Sequence, residues 1–479
     1  MTSETATHQL FDPARGSSGT DQDGGAGLVL LYAPDFETLP NVIRLAGPSV
    51  SGPLVIGREP PPGGLSLQHH AVSRVHARIH RRGEAWIITD LDSRNGTMVD
   101  GAKVEEIVLE DLDEVRIGDA IFKFVARGVE AYAPYRIDGA HAPGTRRPAR
   151  MTALVGGAQL AQLALQLEAI ATADLSVLLL GDTGTGKEVA AQALHEASGR
   201  SGRFCAINCA AIPMHLLESE LFGYKRGAFS GADRDKPGLV RAAHGGTLLL
   251  DEIGDMPLDA QAKLLRLIET REVLPLGATT GEKVDVRLVS ATHRDLDQLI
   301  ADGKFRGDLF ARIHGFTTRL PPLRARKEDL FLLLRHMLSR HGHPSMGVSM
   351  PFMAALCHHD WPYNVRELEG VVRRALALAD AETPRTVQLE MRHLPETIER
   401  AMESYGKPLE RAEPVSARAS RPPPQVRAEA PTEEEMRALL ARHRGNITAI
   451  ARELGKDRVQ IHRWMKRYGL SPDDFRGAP

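Results

Sequence analysis

The sequence predicts a multidomain chain: an all-β sandwich over residues 28–126, an α/β domain over 151–400 and a small all-α domain over 432–479. Three observations predict it. Residues 28–126 run as short β-rich pieces (LVLLYA, PLVIG, AWIITDL, TMVDG, DEVRIGDAIFKFV) broken by Gly, Pro, Asn and Asp, and short strands at near-regular spacing indicate a sandwich. From Met151, apolar strands such as SVLLLG and TLLLDEI alternate with helical stretches such as KEVAAQALHEA and DAQAKLLRLIE. That alternation indicates a parallel sheet covered by helices. Thr432 to Leu470 reads as three short helices.

The stretches between these parts carry no such periodicity. Residues 1–27 are polar and Gly/Ser-rich and read as a disordered lead. Residues 127–150 read as a linker, and 401–431, containing PVSARASRPPPQVRAEAP, as a Pro/Ala/Arg tether. The 479 residues are 42% hydrophobic and 25% charged, which excludes a wholly disordered chain. No apolar run approaches the length of a membrane-spanning helix. The start, MTSETATHQLFDPARG, has neither the basic flank nor the apolar core of a signal peptide. With three cysteines, Cys205, Cys209 and Cys357, there is no disulfide framework, and the expected location is the cytoplasm. The formal net charge of −2 excludes no partner, because a neutral total can hide local asymmetry.

The run Gly181, Asp182, Thr183, Gly184, Thr185, Gly186, Lys187, Glu188 follows the strand SVLLL and precedes the helix EVAAQAL. Strand, glycine-rich loop and helix is the context of a phosphate loop. The glycines let backbone N–H groups turn inward around phosphate oxygens, the helix N-terminus adds partial positive charge, and Lys187 reaches the β- and γ-phosphates. Glu188 stands where a Ser or Thr is usual. Sixty-odd residues on, GGTLLLDEI ends a strand with Asp251 and Glu252. Asp251 is placed to hold Mg²⁺, directly or through water, and Glu252 to activate the attacking water. ATP and Mg²⁺ are the expected cofactors.

Further segments occur in order: AINCAAI (206–212), ESELFGYKRGAFSGA (218–232), KLLRLIE (263–269), DVRLVSATHRDL (285–296), KFRGDLFARI (304–313), LPPLRARKEDL (320–330) and WPYNVREL (361–368). With these, residues 151–400 resemble the AAA+ domain, with helical lid, of sigma-54-dependent transcription activators of the NtrC type. Glu188 is itself typical of that family. The resemblance implies roles. Asn208 restrains the catalytic glutamate, Glu252. Thr292 and His293 form the first sensor. Arg306 and Arg312 are arginine fingers reaching the γ-phosphate held by a neighbouring protomer, so hydrolysis requires a homo-oligomer, from dimer to hexameric ring. Arg366 is the second sensor, on the lid and in cis. Leu154, Val155 and Gly156 flank the adenine. Gly227, Ala228, Phe229, Ser230, Gly231 and Ala232 match the family's GAFTGA loop, whose tip touches sigma-54. Ser230 replaces Thr and keeps the hydroxyl. Tyr224, Lys225 and Arg226 replace a commoner His-Glu-Lys/Arg, so Lys225 inverts a charge beside the loop. Tyr363 replaces a frequent Gly.

The N-terminal sandwich contains LVIGRE, SRVHARI, DLDSRNGTMVDGAKV and DEVRIGDAIFKF. It resembles a forkhead-associated (FHA) domain, which reads phosphothreonine peptides. Arg58 offers a planar fork of donors for a phosphate, and Ser73 and Arg74 add charge-assisted bonds. Asn95 is expected to bind the peptide backbone, His76 to hold the loops in shape, and Arg94, where Thr is common, to add positive charge.

In GNITAIARELGKDRVQIHRWMKRYGL (445–470), Asn446 is expected to cap one helix, Gly455 to permit a turn, and Asp457 with Gln460 to cap the next. Ile461, Trp464 and Met465 lie on its buried face by their spacing. Arg458, Gln460, His462, Arg463, Lys466 and Arg467 then face outward toward DNA. From Arg437 to Leu470 nine basic residues stand against two acids, the footprint of a nucleic-acid module. The segment resembles the Fis-type helix-turn-helix that ends many such activators.

The reading is therefore a sigma-54-dependent activator. It binds enhancer DNA, senses phosphothreonine, and uses ATP hydrolysis to convert the closed complex of sigma-54 RNA polymerase holoenzyme to the open form. The alternative is a DNA-binding regulator or AAA+ remodeller that does not act on sigma-54. The intact Lys187, Asp251 and Glu252, the GAFSGA loop and the helix-turn-helix argue against it.

Overall fold

Two strands of the sandwich, Gly27–Tyr32 and Ala120–Val125, are buried at every position and pair antiparallel, with Leu28 opposite Phe124 and Leu30 opposite Phe122. A strand buried on both faces needs cover on both. In the computed structural model, Leu28, Leu30, Phe122 and Phe124 point into the sandwich core, while Val29, Val42 and Val125 are covered from outside by Val129, Tyr132 and Ala158. The structure describes residues 25–46, 52–229, 232–382, 387–408, 431–443, 447–454, 461, 464, 465, 468 and 470. The expected lead, apart from residues 25–27, and residues 409–430 of the expected tether lie outside them. Gly27 belongs to the first strand, one residue ahead of the expected start.

The sandwich has a six-stranded sheet, ordered Val42–Arg44, Gly27–Tyr32, Ala120–Val125, Glu114–Ile117, Thr97–Val99, Ala102–Val104. The second sheet is ordered Leu65–Ser66, Leu54–Gly57, Ala77–Arg82, Ala85–Asp90, Glu106–Leu109. The α/β part has five parallel strands, in the order Phe204–Asn208, Thr247–Asp251, Arg287–Thr292, Val177–Leu180, Phe316–Arg319. Helices Lys187–Ser198 and Leu258–Thr270 match the stretches read from the sequence. The lid packs Leu330–Arg340, Met350–His358 and Asn364–Ala381, and Cys357 is simply one of its buried apolar residues.

Two expected boundaries are corrected. Residues 127–150 do lack periodicity, but they are no free linker: Val129, Tyr132 and Ile137 are buried against the sandwich and the α/β part. The tether was expected from 401, yet residues 405–408 run along the edge strand Ala102–Val104. The Gly406 amide donates to the Gly101 carbonyl (2.7 Å) and the Lys103 amide to that of Lys407 (2.9 Å). The sandwich also shares its apolar core with the lid, where the ring of Phe331 meets those of Tyr32 and Phe36 at 5.5 and 5.2 Å.

Residues 1–409 form one unit and 410–479 another. In the second, Thr432 and Glu435 form a reciprocal cap on helix Glu433–Arg442, and a second helix spans Ile447–Leu454. Ile461, Trp464 and Met465 are buried with Leu440 and Ile450, as their spacing predicts. Asn446, Gly455, Asp457, Arg458, Gln460, His462, Arg463, Lys466 and Arg467 lie outside the described residues. Among the described residues no helix is long and apolar enough to cross a membrane.

Candidate functional site

Parallel sheets gather chemistry at the carboxyl ends of their strands. Here four strand ends meet. Gly181 follows Val177–Leu180, and its amide donates to the Thr292 carbonyl (3.2 Å). Leu180 lies opposite Thr292, and Asn208 opposite Asp251. Gly184 and Gly186 take φ of 79° and 105°. A Cβ on Gly184 would sit 2.1 Å from the Tyr363 carbonyl oxygen, so the close approach of the lid requires glycine there. Lys187 opens helix Lys187–Ser198; its Nζ donates to the Gly181 carbonyl (2.8 Å) and lies 3.7 Å from Glu252 Oε1. Glu188 is exposed in the first turn.

Asp251 and Glu252 part company at the strand end. Glu252 has φ of 52°, a left-handed backbone that a glutamate adopts only when its surroundings hold it there. His293 supplies that hold, Nδ1 donating to Glu252 Oε2 at 2.7 Å. Asn208 makes no hydrogen bond to Glu252, contrary to expectation: its Nδ2 donates to Asp251 Oδ2 (3.0 Å), and its Oδ1 accepts from the Ala210 and Ala211 amides. Strand pairing sets Asn208 beside Asp251, and Glu252 turns away from it. Burial and the neighbouring Glu252 charge raise the Asp251 carboxyl above its ordinary value, with Lys187 opposing them.

The lid closes on the phosphate loop through contacts the sequence reading missed. Asn364 Nδ2 donates to the Thr183 carbonyl (2.9 Å) while its Oδ1 accepts from the Leu323 amide (2.8 Å). The Val365 amide donates to the Gly184 carbonyl (3.0 Å), and Arg324 pairs with Asp182 at 3.0 Å. Asn364 has φ of 54°; asparagine's tolerance of that region was the available signal. The Cβ of Arg366 comes within 3.0 Å of a Cβ built on Gly184, so this exposed arginine stands beside the phosphate loop. Val155 and Gly156 lead into helix Ala158–Ala169, and the Gly157 amide donates to Asp329 (2.6 Å).

Arg306 and Arg312 stay clear of their own phosphate loop. Arg306 pairs with Asp308 (2.7 Å) and Arg312 with Glu269 (3.3 Å), all four exposed. The backbone beneath Arg306 is fixed, its amide donating to the buried Gln261 (2.9 Å).

The Gly227–Ala232 segment is closed at its base by the Gly227 amide donating to the Ala232 carbonyl (2.9 Å). Phe229 is 42% exposed and leans on Tyr224, ring centroids 4.9 Å apart. Ala228 packs on Gly277. The inverted charge at Lys225 is met by Asp235 at 2.9 Å, whose other oxygen accepts from the Arg226 amide. Ser230 and Gly231 lie outside the described residues.

At one end of the sandwich, Arg58 and Glu59 amides donate to the Ser73 and Arg74 carbonyls, and the Arg94 amide donates to Ser73 Oγ (3.0 Å). Asn95 Nδ2 donates to the Ala71 carbonyl (2.7 Å). Buried His76 accepts the Ser73 amide at Nδ1 (3.1 Å), so Nε2 carries the proton that faces the Gly96 carbonyl (3.3 Å). Burial lowers its pKa, keeping the ring neutral. The guanidinium groups of Arg58, Arg74 and Arg94 have no hydrogen bond or ion pair to any described residue. They form a rim of free donors beside Ser73 and Asn95.

Four family models match the chain: the Sigma-54 interaction domain over 154–319, the AAA+ ATPase lid domain over 324–410, the FHA domain over 54–118, and the Bacterial regulatory protein, Fis family, over 433–468. The transcriptional regulatory protein GlrR of Escherichia coli (strain K12) is 38% identical over 366 residues, 74% of this chain and 78% of that protein. The chain belongs to the sigma-54-dependent transcription activators. Another relative, the nitric oxide reductase transcription regulator NorR1 of Cupriavidus necator, is 37% identical over 407 residues, 82% of this chain and 77% of that protein. NtrX from Brucella abortus, solved in complex with ATP, is 32% identical with a TM-score of 0.47, over 64% of this chain and 67% of that one.

This activator is thus an ATPase with a nucleotide-binding AAA+ domain and lid, preceded by an FHA domain and followed by a Fis-type helix-turn-helix. Lys187, Asp251, Glu252, Asn208, Thr292, His293 and Arg366 converge on one site in the activator. Arg306 and Arg312 do not join it within the chain.

Proposed function

We propose that this activator hydrolyses ATP at the interface between neighbouring protomers of a ring, and that the FHA domain and the Phe229 loop are its input and output. The observation that carries the reading is a division within one chain. Lys187, Asp251, Glu252, Thr292 and Arg366 face one site, while Arg306 and Arg312 stand exposed and pair elsewhere, the Arg306 amide fixed by Gln261. An arginine supplied by a neighbour would complete the site and make turnover depend on assembly. Glu252 would take the proton of the attacking water, held in line by His293. Mg²⁺ binds through one or two carboxylates together with substrate phosphates. Asp251 fits that role, a half-buried carboxylate whose charge is disfavoured by Glu252 and would be relieved by a cation. When bound, the ion would neutralise charge on the phosphates.

On this reading the helix-turn-helix holds the activator on enhancer DNA, and the ring drives the closed sigma-54 polymerase complex to the open form. Transcription from a sigma-54 promoter with purified polymerase, with and without phosphothreonine peptides, tests the whole. A protein that hydrolyses ATP but never opens the promoter, with every peptide tried, defeats it.

Two expectations belong to its ends. Phe229→Ala should keep ATPase activity within about twofold yet abolish open-complex formation, since no hydrogen bond or ion pair joins the described residues of the loop to the nucleotide residues. Normal promoter opening by that variant would remove the loop from the mechanism. At the other end, Arg58→Ala should weaken phosphothreonine-peptide binding by about ten- to a hundredfold. A hydrogen bond to a charged group contributes about 1.5–3 kcal/mol, and each 1.4 kcal/mol is tenfold. Calorimetry with matched phosphorylated and unphosphorylated peptides reads this; indifference to the phosphate would rule out phosphothreonine sensing.

A further inference from the structure

Lys123 has no place in an apolar strand core unless something repays its burial. It lies in Ala120–Val125 of the FHA sandwich and is 1% exposed. Its Nζ pairs with Glu328 of the lid segment at 2.5 Å, and it sits over the Tyr132 ring, 4.6 Å from the centroid. Glu328 is equally enclosed, at 6% side-chain exposure. Desolvating two charges is costly, and such a pair is weak evidence for stability alone. What it connects is more informative.

Glu328 is the third of four consecutive charged residues, Arg326, Lys327, Glu328 and Asp329, and each reaches a different partner. Arg326 Nη2 donates to the Thr185 carbonyl in the phosphate loop (3.0 Å). Lys327 lies 3.6 Å from Glu114 of the FHA sheet. Glu328 takes Lys123. Asp329 accepts the Gly157 amide (2.6 Å), next to Val155 and Gly156. Gln159, two residues further, donates to Glu328 Oε1 (3.2 Å) and to the Ala325 carbonyl (2.9 Å). One short, rigid run therefore grips the nucleotide site with its outer residues and the FHA sheet with its inner ones. Its ion pairs with the sheet are of opposite sense, acid to base and base to acid, which fixes its register on that sheet.

We propose that Lys123 of the FHA domain is a positioning residue of the ATPase site, acting through Glu328 on the two loops that receive the nucleotide. It touches no nucleotide itself. The FHA sheet is then a wall of the nucleotide site at one remove, whatever peptide the FHA domain reads.

The test uses the full chain. Lys123→Met should weaken binding of a fluorescent ADP analogue by about tenfold, within the range of coupling between sites, and raise KM for ATP while kcat at saturation stays within twofold. A purely structural role would lower the melting temperature without that split. Lys123→Met with Glu328→Met removes both charges, so it guards against a single variant that fails to fold; it should show the same loss of nucleotide affinity, no deeper than the single change. Nucleotide affinity within twofold of the native protein in the folded double variant overturns the proposal. In the unaltered protein, saturating ADP should slow hydrogen exchange of the amides in 120–125, which reach the nucleotide site through Glu328. Unchanged exchange there overturns it independently of either variant.

Discussion

Glu252→Gln should bind ATP as the native protein does and turn it over about 10²–10⁴-fold more slowly, the contribution typical of a positioned general base. The amide keeps the size of the carboxylate and can still accept the His293 Nδ1–H that holds Glu252 at 2.7 Å. What it loses is basicity. Lys187→Ala is the contrasting change. It removes the cation beside both the phosphate loop and Glu252, and nucleotide binding itself should fail. Titration with a fluorescent nucleotide separates the two, and phosphate release measures the turnover. A Glu252→Gln protein within tenfold of native turnover would take Glu252 out of the chemistry.

The Arg306→Ala, Arg312→Ala double variant should lose about 10³–10⁵ in turnover, the worth of an arginine finger in other NTPases. Its own phosphate loop should keep its nucleotide affinity, because neither guanidinium reaches that loop in cis. Mixed with Lys187→Ala protein, it should regain part of the turnover. In a mixed ring, some intact phosphate loops face intact arginines supplied by the Lys187→Ala protomer. Neither protein alone has such an interface. Phosphate release across mixing ratios would trace a maximum; a flat line at zero would place the arginines in cis or outside the reaction. An unimpaired double variant would end the finger assignment.

Most of this site was legible because its chemistry is local in sequence. A strand, a glycine turn and Lys187 declare a phosphate loop, and a strand ending in Asp251 and Glu252 declares its acidic partner. The lid contacts were less legible. Asn364 and Arg366 stand in one motif, yet only the backbone bend at Asn364 reveals that it clasps Thr183. The partner of Asn208 could not be read at all. Adjacent carboxylates at a strand end differ by one turn of backbone, and register decides which one the neighbouring strand meets.

Burial is written in the sequence more plainly than the identity of the neighbour. AIFKFV reads as a strand, but its alternation does not say that the lid covers it, and its one lysine looks like a solvated interruption. Residues 127–150 look featureless because they pack by isolated side chains, Val129 and Tyr132, with no period to detect. Residues 405–408 look like tether because a segment laid along a sheet edge is held by main-chain bonds, which composition does not encode.

That added edge has a consequence for how interchangeable this FHA domain is. Tyr405 donates its hydroxyl to Glu114 (3.1 Å), lies beneath the Arg116 guanidinium and meets His358 of the lid edge-on. The chain thus comes back from the lid to seal the sheet it left some 280 residues earlier. An FHA domain spliced in at residue 126 from another protein would meet a mismatched wall: no lysine for Glu328, no acid for Lys327, no edge for 405–408. A successful transplant would have to carry Arg326–Asp329 and 405–408 along with residues 25–137. The portable part is three separate stretches of chain, although the sequence presents it as one.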